Sequence, residues 1–127
     1  MIFDADLSSV DDGVWKQYEG AEFLVAHISN MKFQRALSRL QQPHRRKLQE
    51  GTLDPKTNQG IVCEAMSEGV LLGWKGVKTR KGDEVAYSKE SALQLLKRDP
   101  GFRDWVTEVS TQIANYRDEE VEALGED

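Results

Sequence analysis

VWKQYEGAEFLVAHIS, residues 14–29, is the stretch whose reading decides the fold class. Two runs rich in β-branched and aromatic residues, Val14 to Tyr18 and Ala21 to Ile28, flank Glu19-Gly20. Runs of this kind on either side of a two-residue turn signal a β-hairpin. In the second run Leu24, Ala26 and Ile28 alternate with Phe23, Val25 and His27, so both faces are largely apolar. A strand of that pattern is expected to be covered, at least in part, on both sides.

Beyond the hairpin the apolar spacing changes from two to three or four. Ser29-Asn30 supplies an N-cap, and Phe33, Ala36, Leu37 and Leu40 then fall on one helical face, with Arg35 and Arg39 pointing elsewhere. Pro43 has no N–H to donate, so it ends that helix or opens a short second one around Leu48. Residues 51–55 read as a turn. After Thr57-Asn58 a further helix carries Ile61, Val62, Ala65, Met66 and Val70, and Gly69 and Gly73 bracket its end. Leu71 to Val77 reads as an irregular extended piece and Val85 to Tyr87 as a second, with a turn at Lys81-Gly82-Asp83 between them. Ser88 is placed as the N-cap of a helix with Ala92, Leu93, Leu95 and Leu96, and Glu90 suits its first turn. Asp99-Pro100-Gly101 interrupts. The last helix then carries Phe102, Trp105, Val106, Val109, Ile113 and Tyr116 as one stripe over four turns. The sum is an α+β fold, mostly α-helical. A small antiparallel hairpin is followed by four or more helices, with a short extended and turn segment before the penultimate one.

At 127 residues the chain has one domain's worth of core. Residues 1–13, rich in Asp and Ser, read as a flexible acidic arm, 14–117 as the globular domain, and 118–127 as a frayed acidic tail with six acids and no base. The longest unbroken apolar run is Phe23 to Ala26, far short of the roughly 20 residues a membrane helix needs. The acidic N-terminus argues against a signal or transit peptide, and the lone Cys63 gives no disulfide framework. The expected location is the cytoplasm.

A net charge of −5 disfavours nucleic-acid binding, which needs an excess of Lys and Arg. Between Met31 and Gln49, however, Lys32, Arg35, Arg39, Arg45, Arg46 and Lys47 occur with no acid among them. Such a run is a solvated face, or a handle for assembly with a partner or with further copies of the chain. A small DNA-associated regulator using the face from Arg35 to Lys47 is the alternative reading.

Chemistry is sparse. His27, His44 and Cys63 do not make the spaced pairs of a zinc site, and no phosphate-binding glycine loop is present. Cys63 falls on the apolar face of its helix and reads as a core thiol, leaving a Cys–His nucleophile as the only enzymatic reading. No catalytic residue, metal or cofactor is expected. Of the tryptophans, Trp105 belongs to the last helix's stripe and Trp15 is expected to pack on a helix. Trp74, between Gly73 and Lys75-Gly76, reads either as core or as a half-exposed aromatic at a partner surface.

These pieces occur in a particular order. After Gly20-Ala-Glu-Phe-Leu-Val25 comes an Asn-x-x-Phe helix start at Asn30 and Phe33. Leu-x-x-Trp-x-Gly-Val (71–77), Gly82 and Tyr-Ser-x-Glu-x-Ala-x-x-Leu-Leu (87–96) follow. The last are Phe102 and an Asn-Tyr-Arg at 115–117. The order resembles the tail assembly chaperones of long-tailed bacteriophages and prophages over about residues 14–118. The resemblance implies a non-catalytic protein that binds the tape measure protein, keeps it soluble, helps recruit tail tube subunits and is absent from the mature virion. In many phages a frameshifted, extended form contacts the tube protein, and residues 117–127 would be where the short form ends. The same reading names Trp74, Val77, Tyr87, Arg35 and Arg39 as candidate partner-binding residues, allows a homo-oligomer, and expects neither nucleic acid nor membrane as partner.

Overall fold

The computed structural model describes residues 1–117. Its centre is a three-stranded antiparallel sheet of β1 (Val14–Tyr18), β2 (Ala21–Val25) and β3 (Leu71–Lys75), in the order β1-β2-β3. The hairpin turn holds Glu19 at φ 49° and Gly20 at φ 81°. Two successive positive φ values suit a two-residue connection, because the turn then twists the same way as the strands it joins.

The third strand corrects the expectation of an irregular extended piece. β3 pairs Phe23 with Trp74 and Leu24 with Gly73, then shifts register so that Val25 faces Leu71. The shift leaves Leu72 as a bulged extra residue, which breaks the alternation a strand is recognised by. The second strand is in turn shorter than expected. It stops at Val25 because the next three amides leave the ladder: Ala26 N–H donates to Val70 O, His27 to Val10 O and Ile28 to Ser110 O.

The inner face of the sheet presents Ala21, Phe23 and Val25, all buried. Four helices cover it: α2 (Met31–Gln41), α4 (Pro55–Gly69), α5 (Lys89–Arg98) and α6 (Pro100–Thr111). α4 lies between α2 and α5 and also touches β3, while α6 packs on β2. A 3-10 turn at Gln42–His44, with Pro43 inside it, and the short α3 (Arg45–Glu50) follow α2, as the proline led one to expect.

Side-chain caps start all four long helices. Asn30 accepts from Phe33 N–H and Ser88 from Ser91 N–H, as expected. The other two caps are Asp54 and Asp99, each followed by a proline at the first helical position. Proline suits that position because the amide it lacks has no helical partner there. Asp99-Pro100-Gly101 is therefore the start of α6 rather than an interruption before it.

Two expectations about the chain ends change. The last stripe is not one helix: α6 stops at Thr111, Gln112 turns extended, and a 3-10 turn at Ile113–Tyr116 follows. The break leaves Ile113 exposed and carries Tyr116 into the core, where its hydroxyl donates to Val25 O at 3.1 Å. At the other end, Ser9–Asp12 form one helical turn, α1, instead of belonging wholly to an arm. Val10 O accepts from His27 N–H, and Ser9 Oγ donates to Tyr116 O at 2.9 Å. The domain thus takes in residues before 14. The acidic run 118–127 lies outside the described residues. Among the described residues no helix is long and apolar enough to cross a membrane.

Candidate functional site

The five candidate partner-binding residues fall in three different places. Trp74 is 8% exposed, which decides between the two readings of it in favour of the core. Its register opposite Phe23 turns the indole to the inner face, where the two rings meet edge to face at 6.1 Å. Its Nε1–H donates to Val85 O at 2.8 Å. Tyr87 packs edge-on against the same indole, its hydroxyl donates to Leu71 O at 2.7 Å, and burial pushes its phenol up. Together Trp74 and Tyr87 fasten the loop after β3 back onto that strand. Trp74 is buried in this role, and Tyr87 keeps part of its side chain at the surface. Trp15 is the converse case. Register places it with Leu24 and Gly73 on the outer face of the sheet, 44% exposed, with Lys75 Nζ 4.3 Å from its ring centroid.

Arg35 and Arg39 are exposed on α2, but Arg39 is engaged. Its Nη2 pairs with Glu68 Oε2 at 2.5 Å, and Lys89 Nζ takes the other oxygen at 2.7 Å. The hydrogen bond from Lys89, then that from Arg39, holds the Glu68 carboxyl below its usual range although burial opposes this. One carboxylate of α4 thereby ties α2 to α5. Arg46 is likewise paired, with Glu50 at 3.5 Å. The basic run is therefore partly neutralised by acids from other positions, and Arg35 remains without an ion-pair partner among the described residues.

Val77 lines a cleft of about 170 Å³. Three connections converge to make it: the β1–β2 turn, the exit from β3, and the junction of α5 with α6. Each is placed by a local cause. Gly76 at φ 80° lets the chain leave β3 close beside the hairpin turn, where a Cβ would stand 3.6 Å from Ala21 Cα and Gly20 O. Asp99 sits at the helix junction because its Oδ1 caps α6 at Phe102 N–H, 3.1 Å away.

The floor of the cleft is aromatic. Phe23 and Phe102 meet at 4.8 Å, and Tyr18 lies edge-on to Phe102 at 5.7 Å with Trp105 behind it at 4.8 Å. Val77 and Leu95 are apolar walls, and Glu19, Asp99 and Lys78 are the charged members of the lining. Burial, and then the carboxylates of Glu19 and Asp99, push the Tyr18 phenol up, so it stays a hydroxyl donor. Small-molecule sites span about 300 Å³ upward. A cleft of 170 Å³ instead suits a single side chain. The hollow between α2 and α3 is larger, about 280 Å³, but Leu48 is the one apolar side chain among Ser38, Gln41, Arg45 and Gln49.

Apart from Val77, the cleft residues were not anticipated. Glu19-Gly20 and Asp99-Pro100 were legible only as punctuation, and nothing local says that two turns 80 residues apart meet. Cys63 is fully buried, burial raises its thiol, and neither histidine hydrogen-bonds to it; His27 Nδ1 is taken by the Ser29 hydroxyl at 2.8 Å. Among the described residues no three His, Cys, Asp or Glu side chains converge on a point where a metal could sit.

The sequence model of the YdaY prophage protein family matches residues 28–126, well over half of the chain. The chain belongs to the YdaY prophage protein family. No curated protein and no solved structure matches it. The YdaY match begins at Ile28, after the hairpin. Within it lie α2 to α6, β3, the Trp74–Tyr87 latch and two of the three segments that build the cleft. The turn bearing Tyr18 and Glu19 lies before it.

Proposed function

We propose that this prophage protein is a tail assembly chaperone that binds the tape measure protein in the host cytoplasm, keeps it soluble and helps bring tail tube subunits to it. The reading is supported by membership of a prophage family and by the ordered motifs that resemble such chaperones. The observation that carries it is the cleft. An aromatic-floored opening of about 170 Å³ takes one side chain of a polypeptide and is small for a metabolite. One side chain gives weak binding, so action on a long client relies on many copies along it. A net charge of −5 keeps those copies soluble around an aggregation-prone client. Recruitment of tube subunits through an extended product, and self-association, belong to the same proposal.

The test is co-expression with the tape measure protein of the same prophage. The tape measure protein is expected in the soluble fraction together with this chain and in the pellet without it. Equal insolubility in both cases refutes the reading. The DNA-regulator alternative is weakened by the pairing of Arg39 and Arg46 with Glu68 and Glu50. It predicts a salt-dependent shift of duplex DNA at micromolar protein.

A further inference from the structure

We infer that the cleft reads a specific side-chain chemistry. It takes an apolar side chain from a client segment that also carries a lysine or arginine close by, and Glu19 with Asp99 selects that cation. The inference rests on the chaperone reading and names what such a client must present.

The apolar half follows from the floor and walls. Phe23 and Phe102 form the base, and Val77 and Leu95 the sides, so a leucine- or methionine-like side chain is desolvated on entry. The cationic half follows from the rim. Glu19 stands on the exposed hairpin turn with no hydrogen bond or ion pair among the described residues. Asp99 has Oδ1 committed to the α6 cap. Glu19 and Asp99 line the cleft together with Tyr18, and both carboxylates add to the upward push on its phenol. Two acids beside an aromatic ring favour an ammonium or guanidinium, through Coulomb attraction and through the negative face of the ring. The Tyr18 hydroxyl has no hydrogen-bond partner among the described residues and can donate to a client carbonyl. Lys78, also in the lining, offsets part of the two acids' charge and leaves the rim net negative by one. The cleft therefore suits a segment of mixed apolar and basic character rather than a uniformly basic one. The chain's net charge of −5 brings such a segment in from a distance.

The test uses the full chain and two synthetic helical peptides with leucine at the anchor positions. They carry either lysine or glutamate one turn on, and binding is followed by NMR shifts of Tyr18, Val77 and Leu95. The lysine peptide is expected to move these resonances and to bind roughly tenfold more tightly than the glutamate peptide. Glu19→Lys combined with Asp99→Asn should abolish that preference, and the asparagine keeps the cap acceptor of α6. Glu90→Lys with Asp11→Asn makes the same change in net charge away from the cleft and should keep the preference. Equal binding of the two peptides overturns the inference. So does a preference that survives in the cleft variant or disappears equally in both variants. Solubility of the co-expressed tape measure protein reads the chaperone proposal separately. If the wild-type chain solubilises it and the cleft variant does so equally well, the cleft inference falls and the chaperone reading stands. If the wild-type chain does not, the chaperone reading falls, and the peptides alone decide what the cleft accepts.

Discussion

Two glycines in α4 should respond to alanine with opposite signs. Gly69 closes the helix where it crosses the start of α2, and a Cβ there would stand 2.5 Å from Phe33 N and 2.6 Å from Phe33 Cα. Those are backbone atoms. They cannot rotate away, and Asn30 binds the same spot by donating to Gly69 O at 2.9 Å and accepting from Phe33 N–H. Relief requires separating α2 from α4, which is the most extensive helix contact in the domain. Overpacking of a tight core costs about 1–3 kcal/mol and occasionally more. The gain from replacing glycine in a helix is at most about 1 kcal/mol and smaller at a helix end. The net expectation for Gly69→Ala is a loss of about 2 kcal/mol or more, or roughly 6–12 °C in Tm for a domain of this size. Gly60, in the same helix, has no heavy atom within 4 Å of a built Cβ. Gly60→Ala should therefore gain up to about 1 kcal/mol and raise Tm by a few degrees. Urea and thermal unfolding of the two variants beside the wild type measure both. A Gly69→Ala protein as stable as wild type would refute the close α2–α4 crossing.

Three further outcomes follow from individual contacts. Tyr116→Phe removes the buried hydroxyl bond to Val25 O and should cost about 1–2 kcal/mol in urea unfolding at neutral pH. Burial holds the Tyr116 phenol well above its usual value of 10.0, so its contribution is full below pH 10 and is lost as pH rises beyond it, where the unfolded chain ionises first. The wild-type midpoint should drop between pH 9 and 11, and the variant should show a shallower drop. Glu68 has the opposite sign. Its carboxyl is held below 4.5, so the stability it confers is present above about pH 4.5 and lost as pH falls through the lowered value. Glu68→Gln should flatten the acid limb of the stability profile and cost under about 1 kcal/mol at pH 7, since both cations are largely exposed. Finally, Trp74→Phe removes the Nε1 donor to Val85 O. Amide exchange should accelerate in the loop, at Thr79 and Val85, while α4 stays protected; unchanged exchange there would mean the indole does not hold the loop.

Much of the fold is legible locally, and the misreadings share a cause. The hairpin shows itself through aromatic and β-branched runs around Glu19-Gly20. Asn30 and Ser88 show themselves as polar residues just ahead of an apolar period. Asp54-Pro55 and Asp99-Pro100 were legible in principle as cap plus first helical residue, but proline reads first as a breaker. β3 is obscured by Gly73 and the bulged Leu72. Once it is missed as a strand, Trp74 looks like a loop aromatic among glycine and lysine. Register across strands turns Trp74 inward and Trp15 outward, and no window within one strand carries that information. The cleft is harder still. Its parts come from residues near 18, 77 and 99, and only the assembled sheet and helix junction bring them together.

The Tyr116–Val25 hydrogen bond also gives the domain a direction. Tyr18 and Ala21, at the cleft, stand at one end of the hairpin, whereas Val25, where Tyr116 is anchored, is the other end of β2. Four strand steps separate Ala21 from Val25, about 13 Å. The backbone passes Arg117 at the end remote from the cleft. A contact made at that end leaves the cleft open. Two partners could then be held at opposite poles of one small body without competing for space.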